Sequence, residues 1–538
     1  MKKKLVSVLM VAAMTASLVA CGSNEAASTT TTDASASSQA TTTDAAPAEA
    51  YKQEKIVMVV DGTLTASADN GQADFEAQWE KAVSEKAGYP VDLEIQQLDH
   101  SGYVDAVGRL FAAGDLPDVI LLSANMYAQY APTGYLWDMS EAYANADFQS
   151  RVKKTSPNEN NTINGAMYGF TPVSGNGCVT YVKESWMDAV GVDKASVTDF
   201  ASYYDMLLKF AKEDPDGNGT AGDTYGVLAA GIISNEAPYI NYFPEFWQDA
   251  YPAITQGADG KWYDGFQSDA TKAALLRFQQ AYADGIIEPT VFTAGTKDVR
   301  ELYWSADQKG SFGAFTYWAG YWIDTIINNL GKNDLDNRIV TLAPIKETGK
   351  YLERFAPSWC IIDDQDGDNT REQAIFDLFI ETMVDGNTIE TLWAYGAEDV
   401  HWSTKAESFK TNEGTSKEKS YEYEEGKFHC KQSLNDPNTL WSKNAFDIRL
   451  GVVPLENGFY ASTDDADASS KVFNDNCVMQ PQNVASETFT NESGNILDAQ
   501  KAVIDSVVLN GGDVDAAMAK YVETVGSIVD QIIGELNQ

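Results

Sequence analysis

An alternation of apolar runs and helix-periodic segments after residue 50 most constrains the fold of this chain. Three short apolar or alternating runs, Lys55–Val60, Val91–Ile95 and Asp118–Leu122, are separated by segments of helical periodicity at Asp74–Ala87 and Tyr103–Ala113. A helix between two strands returns the chain to the start of the sheet, so the strands pair in parallel through right-handed crossovers. The sequence therefore predicts an α/β fold.

Polar and aromatic residues directly follow two of the predicted strands. Asp61 comes after the first strand, and Ser123–Tyr127 follows the third. Because ligands of such sheets bind beyond the carboxyl ends of the strands, these positions are candidates for ligand contacts. We expect Asp61 and Asn125 to form hydrogen bonds to a ligand, and Tyr127 to lie beside it.

The first 50 residues carry a separate signal. Three lysines precede an apolar run, Leu5–Val19, that is too short to span a membrane and is typical of a secretory signal. The string Leu18–Cys21 resembles a bacterial lipobox, which predicts a signal peptide over 1–20 and a lipid on Cys21. A plain signal with an incidental Cys21 is the alternative. Of the 29 residues at 22–50, 21 are Ser, Thr or Ala, which predicts a flexible tether.

The charge balance and motif content favour a binding protein over an enzyme. Acidic side chains outnumber basic ones by 79 to 38, and this excludes nucleic-acid binders, which need clustered Lys and Arg. The chain has three histidines and lacks metalloprotease, nucleophile-elbow and phosphate-loop motifs. Paired carboxylates suited to glycoside hydrolysis are uninformative among so many acids.

Four motifs, in order along the chain, resemble segments of one protein family. They are GDLPDVILL at Gly114–Leu122, YGFTP at Tyr168–Pro172, KGSFGAFTYWAGYWID at Lys309–Asp324 and APSW at Ala356–Trp359. Their order and spacing resemble those of family 1 extracellular solute-binding proteins, the receptors of carbohydrate ABC importers, and are similar to maltose-binding-type receptors.

The resemblance implies a two-lobe, periplasmic-binding-protein-like fold of type II, with a cleft between lobes joined by hinge segments. The expected first lobe comprises 51–176 and 312–355, and the second, more helical lobe comprises 177–311 and 356–538. The resemblance further implies a monomeric receptor, held by a lipid on the extracellular face of the bacterial cytoplasmic membrane. Such a receptor captures an oligosaccharide and delivers it to the permease subunits of an ABC transporter.

The aromatic residues support a sugar site independently. A saccharide site combines aromatic platforms for the CH faces of the sugar with polar partners for its hydroxyl groups. Trp318 and Trp322 are four residues apart in a Gly-containing segment. Core packing is the alternative for any single tryptophan, and for Trp247, Trp359 and Trp402 both interpretations stay open. The predicted ligand-binding residues are Trp318, Trp322, Trp247, Asp61, Asn125, Tyr127, Trp359 and Trp402.

The segment DPDGNGTAGDTYG at Asp214–Gly226 matches the first half of a calcium loop, in which oxygen ligands converge from a tight coil. Position twelve of the pattern is Tyr225 and not an acid. The resemblance implies that a later acid in this region substitutes, and a turn rich in Asp, Asn and Gly without metal is the alternative. The predicted ligands of a structural Ca²⁺ are Asp214, Asp216, Asn218, Asp223 and the carbonyl of Thr220.

Two other functions stay open at this point. A secreted lipoprotein glycoside hydrolase would also combine aromatic residues, acids and an anchor. A receptor of the same fold for peptides or another polar solute is the second alternative, because the net charge of a whole lobe says little about its cleft.

Overall fold

A computed structural model describes most of the chain after residue 50. The described residues are 51–62, 71–99, 102–150, 152, 162–172, 175–233, 242–293, 295–305, 311–413, 417–434, 440–441 and 463–538. The predicted signal peptide, Cys21 and the tether lie outside them. Within the described part, no helix is both long enough and apolar enough to cross a bilayer.

The strands and helices alternate along much of the chain. The strands are β1 Lys55–Asp61, β2 Asp92–Leu98, β3 Val119–Leu122, β4 Cys178–Lys183, β5 Tyr225–Leu228, β6 Ile254–Gln256, β7 Trp262–Asp264, β8 Phe312–Trp318, β9 Ile339–Thr341, β10 Tyr351–Glu353, β11 Ser358–Ile361, β12 Trp402–Ser403, β13 Glu407–Glu413, β14 Lys417–Tyr423, β15 His429–Cys430 and β16 Cys477–Met479.

The α-helices are α1 Gln72–Ala87, α2 Tyr103–Ala113, α3 Ala124–Tyr130, α4 Ser140–Asn145, α5 Glu184–Ala189, α6 Phe200–Lys212, α7 Pro244–Trp247, α8 Asp269–Ala283, α9 Thr296–Trp304, α10 Trp322–Lys332, α11 Thr370–Ile375, α12 Thr388–Tyr395, α13 Asp464–Asp475, α14 Glu487–Ile504 and α15 Val514–Leu536. Shorter helical turns continue α11 over Phe376–Val384 and α14 over Asp505–Leu509.

The first sheet has the strand order β11-β3-β1-β2. β1 pairs in parallel with both β2 and β3, as the strand and helix alternation predicts, and β11 adds to β3 in the antiparallel direction. α1 buries Phe75, Trp79 and Val83 along one face. Because these residues follow the helical period, they form a stripe that packs onto the apolar sheet.

The second sheet has the order β5-β8-β4-β9. β4 pairs antiparallel with β8 and β9, whereas β5 pairs in parallel with β8. Each sheet has its own buried core: Ile56, Trp79 and Trp393 belong to the core of the first sheet, and Phe210 and Phe315 to that of the second. The predicted α/β fold with two lobes is confirmed.

The predicted lobe boundaries are wrong after residue 311. Segment 312–318, expected in the first lobe, forms β8 and pairs with β4 in the second sheet. Segment 358–361, expected in the second lobe, forms β11 and pairs with β3 in the first sheet. Both strands are apolar and buried, so their sequences alone did not distinguish the two sheets. The C-terminal helices α14 and α15 do pack on the second core, as predicted.

Candidate functional site

Two crossing segments between the lobes pair with each other. Phe170 and Trp359 exchange two backbone hydrogen bonds of 2.8 Å, and the amide of Arg354 donates to the carbonyl oxygen of Asn176 at 3.1 Å. The two backbones approach so closely at Gly175 that a Cβ atom there would lie 1.6 Å from the carbonyl oxygen of Arg354. Glycine is therefore required where the crossing segments meet.

A third segment joins the same junction. β16 pairs in parallel with β10, and its register places Cys477 beside Tyr351. The amide of Gln480 donates to the carbonyl oxygen of Glu353 at 2.8 Å. Three stretches of chain thus lie side by side between the lobes.

On the side of the first lobe, α3 lies against the crossing segment that follows it. The backbone amide of Tyr168 donates to the hydroxyl of Tyr127 at 3.0 Å, and the Tyr127 ring also packs beside Gly169. Asn125, in the first turn of α3, is exposed. Asp61, at the end of the neighbouring parallel strand, is half-buried at the same edge of the sheet. Both predicted hydrogen-bonding residues therefore remain accessible at this edge.

On the side of the second lobe, the residues Trp318–Trp322 connect β8 to α10. We call this segment the aromatic turn. The amide of Ala319 donates to the carbonyl oxygen of Gly177 at 2.9 Å, and the side-chain amide of Asn176 donates to the carbonyl oxygen of Ala319 at 3.2 Å. The aromatic turn is thus hydrogen-bonded directly to the junction.

The rings of the aromatic turn are partly accessible. Trp318 and Trp322 are half-buried, and Tyr321 is 60% exposed. The ring centroid of Trp322 lies 5.1 Å from that of Tyr317 and 5.5 Å from that of Tyr321. Flat apolar surface beside polar groups suits the CH faces and hydroxyl rims of a sugar.

A buried hydroxyl network holds the aromatic turn in place. The Tyr181 hydroxyl donates to the carbonyl oxygen of Trp318 at 2.7 Å and lies 2.9 Å from the Ser469 hydroxyl. Because Tyr181 has a single proton to donate, Ser469 is the donor in the second contact. Ser469 also accepts from the amide of Gly320 at 3.0 Å, where the backbone adopts a φ of 81°. α13, which carries Ser469, therefore fixes the shape of the turn.

Four predicted ligand-binding residues are buried in the lobes instead: Tyr127, Trp247, Trp359 and Trp402. Trp247 is fully buried, with its ring centroid 5.2 Å from that of Phe278. Trp359 packs edge-on against Phe379, and Trp402 is 6% exposed. Neighbouring side chains cover these rings, so the structure contradicts their prediction as surfaces for a ligand.

Three residues of the site were missed as candidates from the sequence. Tyr321 is the most exposed ring of the aromatic turn, and its position between two tryptophans was a signal in the sequence. Arg300 places its guanidinium 5.1 Å from the ring centroid of Trp322, and Arg354 places its own 4.4 Å from that of Trp318. No local pattern marks either arginine, since each meets the turn only through the fold.

The predicted calcium loop connects α6 to β5 and brings its acids together. The side-chain amide nitrogen of Asn218 donates to one carboxylate oxygen of Asp216 and one of Asp223, at 2.9 Å each. The amide of Gly219 donates to Asp214 at 3.0 Å, and the other carboxylate oxygen of Asp214 is buried without a hydrogen-bond partner among the described residues. The amide of Thr220 donates to Asn218.

This donor set fits a hard cation. Burial, together with the neighbouring Asp214 and Asp223, raises the pKa of Asp216. A bound Ca²⁺ would offset this repulsion and occupy the unsatisfied oxygen of Asp214. The Asn218 amide would have to turn over, since its nitrogen faces the carboxylates and a metal binds its oxygen.

The two α/β lobes and their paired crossing segments belong to a fold that is also found in solved structures of ABC-transporter solute-binding proteins. An HMO-binding, ABC-transporter-associated solute-binding protein from Bifidobacterium longum infantis ATCC 15697 superposes with a TM-score of 0.60 at 14% identity, covering 90% of this chain and 98% of that one. The predicted resemblance is confirmed at the level of the fold.

Sequence relatives match part of the chain. The lipoprotein LipO of Bacillus subtilis is 25% identical over 206 residues, which cover 36% of this chain and 39% of the relative. The diacetylchitobiose-binding protein DasA of Streptomyces coelicolor is 26% identical over 219 residues, which cover 40% of this chain and 45% of the relative. The chain thus matches less than half the length of either relative. No family model matches it.

Proposed function

We propose that this protein is an extracellular receptor that captures an oligosaccharide between its two lobes and delivers it to an ABC importer. The observation that carries the proposal is the aromatic turn, which is hydrogen-bonded to the junction between the lobes and presents partly accessible rings there. The solute-binding fold and a relative named for binding diacetylchitobiose support it.

In this proposal the two lobes contribute different chemistry. Trp318, Tyr321 and Trp322 of the second lobe stack on the sugar, and Asp61 and Asn125 of the first lobe form hydrogen bonds to its hydroxyl groups. A ligand that contacts both lobes stabilises the closed arrangement, because only that arrangement makes both sets of contacts. In this proposal the protein binds the sugar and does not cleave it.

We further propose that a lipid on Cys21 anchors the receptor to the outer face of the membrane. The lipobox-like string before Cys21 and the Ser, Thr and Ala tether after it support the anchor. The name of the LipO lipoprotein supports it as well. Mass spectrometry of the protein purified from membranes tests it, since a diacylglyceryl-modified peptide beginning at Cys21 is expected. An unmodified Cys21 in the membrane-derived protein would contradict the anchor.

We also propose a structural Ca²⁺ in the loop after α6. Asp214, Asp216, Asn218, Asp223 and the carbonyl of Thr220 would hold the ion, which would link the end of α6 to β5. Adding Ca²⁺ to chelator-treated protein should raise the unfolding temperature of the wild type and not that of Asp214→Asn. An equal response of the two proteins would contradict this site.

Thermal unfolding in the presence of an oligosaccharide panel tests the receptor itself. A ligand at one hundred times its dissociation constant adds about 2.7 kcal/mol to the free energy of unfolding, which is a readily detected shift. We expect one glycan class to raise the unfolding temperature, and chromatography to recover that glycan intact. Shortened products would indicate a hydrolase, and stabilisation by peptides alone would indicate a receptor for another solute.

A further inference from the structure

Two arginine side chains lie against the aromatic turn. The guanidinium of Arg354 lies 4.4 Å from the ring centroid of Trp318, and that of Arg300 lies 5.1 Å from the centroid of Trp322 and 5.8 Å from that of Tyr317. The arginines come from different elements, since Arg300 belongs to α9 and Arg354 to the crossing segment between β10 and β11. Each end of the aromatic turn therefore lies beside a positively charged side chain.

Neither guanidinium forms an ion pair within the part of the chain that the structure describes. Arg338 and Arg371 do form ion pairs, Arg338 with Glu184 and Asp188 and Arg371 with Asp118 and Glu372, whereas Arg277 donates to backbone carbonyl oxygens. Acidic side chains outnumber basic ones about two to one in this protein, so acid partners are abundant. The two guanidinium groups beside the rings of the proposed sugar site therefore have N–H donors that a ligand group of negative charge can use.

The chemistry of the guanidinium group limits the chemical classes of ligand group that it can bind. A guanidinium over an aromatic ring gains from the ring's negative face, and its N–H donors remain available at its edges. Their fork geometry matches the two oxygens of a carboxylate, or those of a sulfate or phosphate, better than it matches a single hydroxyl group. An arginine beside a stacking ring can thus bind an acidic substituent of the same sugar that the ring packs against.

The net charge of the protein does not oppose this arrangement at short range. Charges separated by more than about 8 Å are largely screened at physiological ionic strength. Screening therefore reduces the effect of acids elsewhere on the surface more than it reduces direct contact of an anion with the two guanidinium groups, and Asp61 adds one carboxylate on the side of the first lobe.

We infer that the cargo is an anionic oligosaccharide, with a carboxylate, sulfate or phosphate group held by Arg300, Arg354 or both beside the aromatic turn. The inference rests on the proposed function, because it names the chemical class of the sugar bound at the same site.

Matched pairs of oligosaccharides test the inference by calorimetry. The pairs are trigalacturonate and its fully methyl-esterified form, 3′-sialyllactose and lactose, and neocarrabiose 4-sulfate and neocarrabiose. We expect the protein to bind the charged member of at least one pair about tenfold or more tightly than the neutral member. That preference should shrink as the salt concentration rises.

Variants assign the preference to the two arginines. Arg300→Gln with Arg354→Gln removes both charges and keeps polar side chains, and should reduce the preference to near unity. Arg354→Lys keeps the positive charge but lacks the paired N–H donors of the guanidinium, so we expect an intermediate preference. Arg109→Gln, at an exposed position of α2, is the control for net charge and should retain the full preference. Circular dichroism and thermal unfolding confirm that each variant folds.

The outcomes separate this inference from the proposed function. Equal or tighter binding of the neutral member in every pair that binds would overturn the anionic cargo and leave the oligosaccharide receptor standing. A preference that persists in the folded double glutamine variant would overturn the role of Arg300 and Arg354. If neither member of any pair bound, nor any glycan of the wider panel, both the inference and the proposed function would fall.

Discussion

Two clusters of aromatic residues in this protein have opposite surroundings. In the first lobe, Trp393 lies with its ring centroid 6.0 Å from Trp79 and 6.3 Å from Trp359, and all three rings are almost fully buried. In the second lobe, Trp318 ends β8, Trp322 begins α10, and both remain partly accessible. The density of aromatic residues alone therefore does not identify a binding surface.

What distinguishes the two clusters is their place in the fold. The first cluster lies between the sheet and its covering helices, where ring burial stabilises the lobe. The aromatic turn begins where β8 ends, at the junction between the lobes, and a buried hydroxyl network fixes its backbone. Rigid rings at an accessible strand end are suited to binding, because little conformational entropy is lost when a ligand arrives.

The largest expected effect comes from the buried cluster. Trp393→Ala should lower the free energy of unfolding by about 3 to 5 kcal/mol, because it leaves a cavity among Phe75, Trp79 and Trp359. Urea denaturation measures the change. Trp318→Ala is the matched control and should cost much less stability. Similar losses of stability for the two variants would contradict the conclusion that the clusters have different roles.

The buried carboxyl group of Glu245 tests whether a change in the interior of the second lobe alters stability without altering ligand binding at the aromatic turn. Burial raises the pKa of Glu245 from its usual 4.5 to about 7, and the Thr180 hydroxyl donates to its carboxyl at 2.8 Å. The unfolded chain releases this proton at lower pH than the folded chain does. The stability from Glu245 is therefore full below about pH 4.5 and falls as the pH rises toward 7.

Glu245→Gln should therefore be about as stable as the wild type near pH 4.5. At pH 8 it should be more stable by up to about 3 kcal/mol, since one pKa unit corresponds to about 1.4 kcal/mol. Denaturation of both proteins across this pH range measures the difference. At pH 8 the Glu245→Gln variant should bind the ligand with the same affinity as the wild type. A stability difference that does not change with pH would contradict the assignment.

The next effect concerns binding. Trp318→Ala combined with Trp322→Ala should weaken oligosaccharide binding about tenfold or more, if stacking contributes a kcal/mol or more. Calorimetry with the glycan that stabilises the wild type measures this loss. Trp247→Phe, in the buried core, is the control and should leave affinity unchanged. Unaltered affinity in the folded double variant would remove the aromatic turn from the site.

The smallest effect should come from the hydroxyl network. Ser469→Ala removes the acceptor for the Gly320 amide and should cost about 1 kcal/mol of stability. Because Ser469 positions the turn without contacting the ligand, we expect a several-fold loss of affinity that Ser469→Thr partly restores. Calorimetry on both variants measures these losses. Full affinity in Ser469→Ala would show that the turn keeps its shape without this hydroxyl.

The fold was predictable from the sequence where the evidence was local. The β1, β2 and β3 pattern was correct because each strand and helix carries its own periodicity. The assignments of β8 and β11 to lobes failed because both are short, buried strands whose partners lie far away in sequence. Nothing within an apolar run of this kind specifies which of two sheets it joins.

The candidate site was predictable only in part, for the same reason. Strand ends can be located from the sequence, and the candidate residues at or shortly after them are Trp318, Trp322, Asp61 and Asn125. The burial of Trp247 depends on packing against residues distant in sequence, such as Phe278, and so it could not be inferred. The approach of Arg300 and Arg354 to the turn is likewise a product of tertiary structure.

A crystal structure of the protein with the glycan that gives the largest thermal stabilisation would show directly whether the aromatic turn binds the sugar. We expect a sugar ring packed against Trp318, Tyr321 or Trp322, with Asp61 or Asn125 of the first lobe hydrogen-bonded to its hydroxyl groups. A glycan bound away from the junction, with the aromatic turn uncovered, would contradict it.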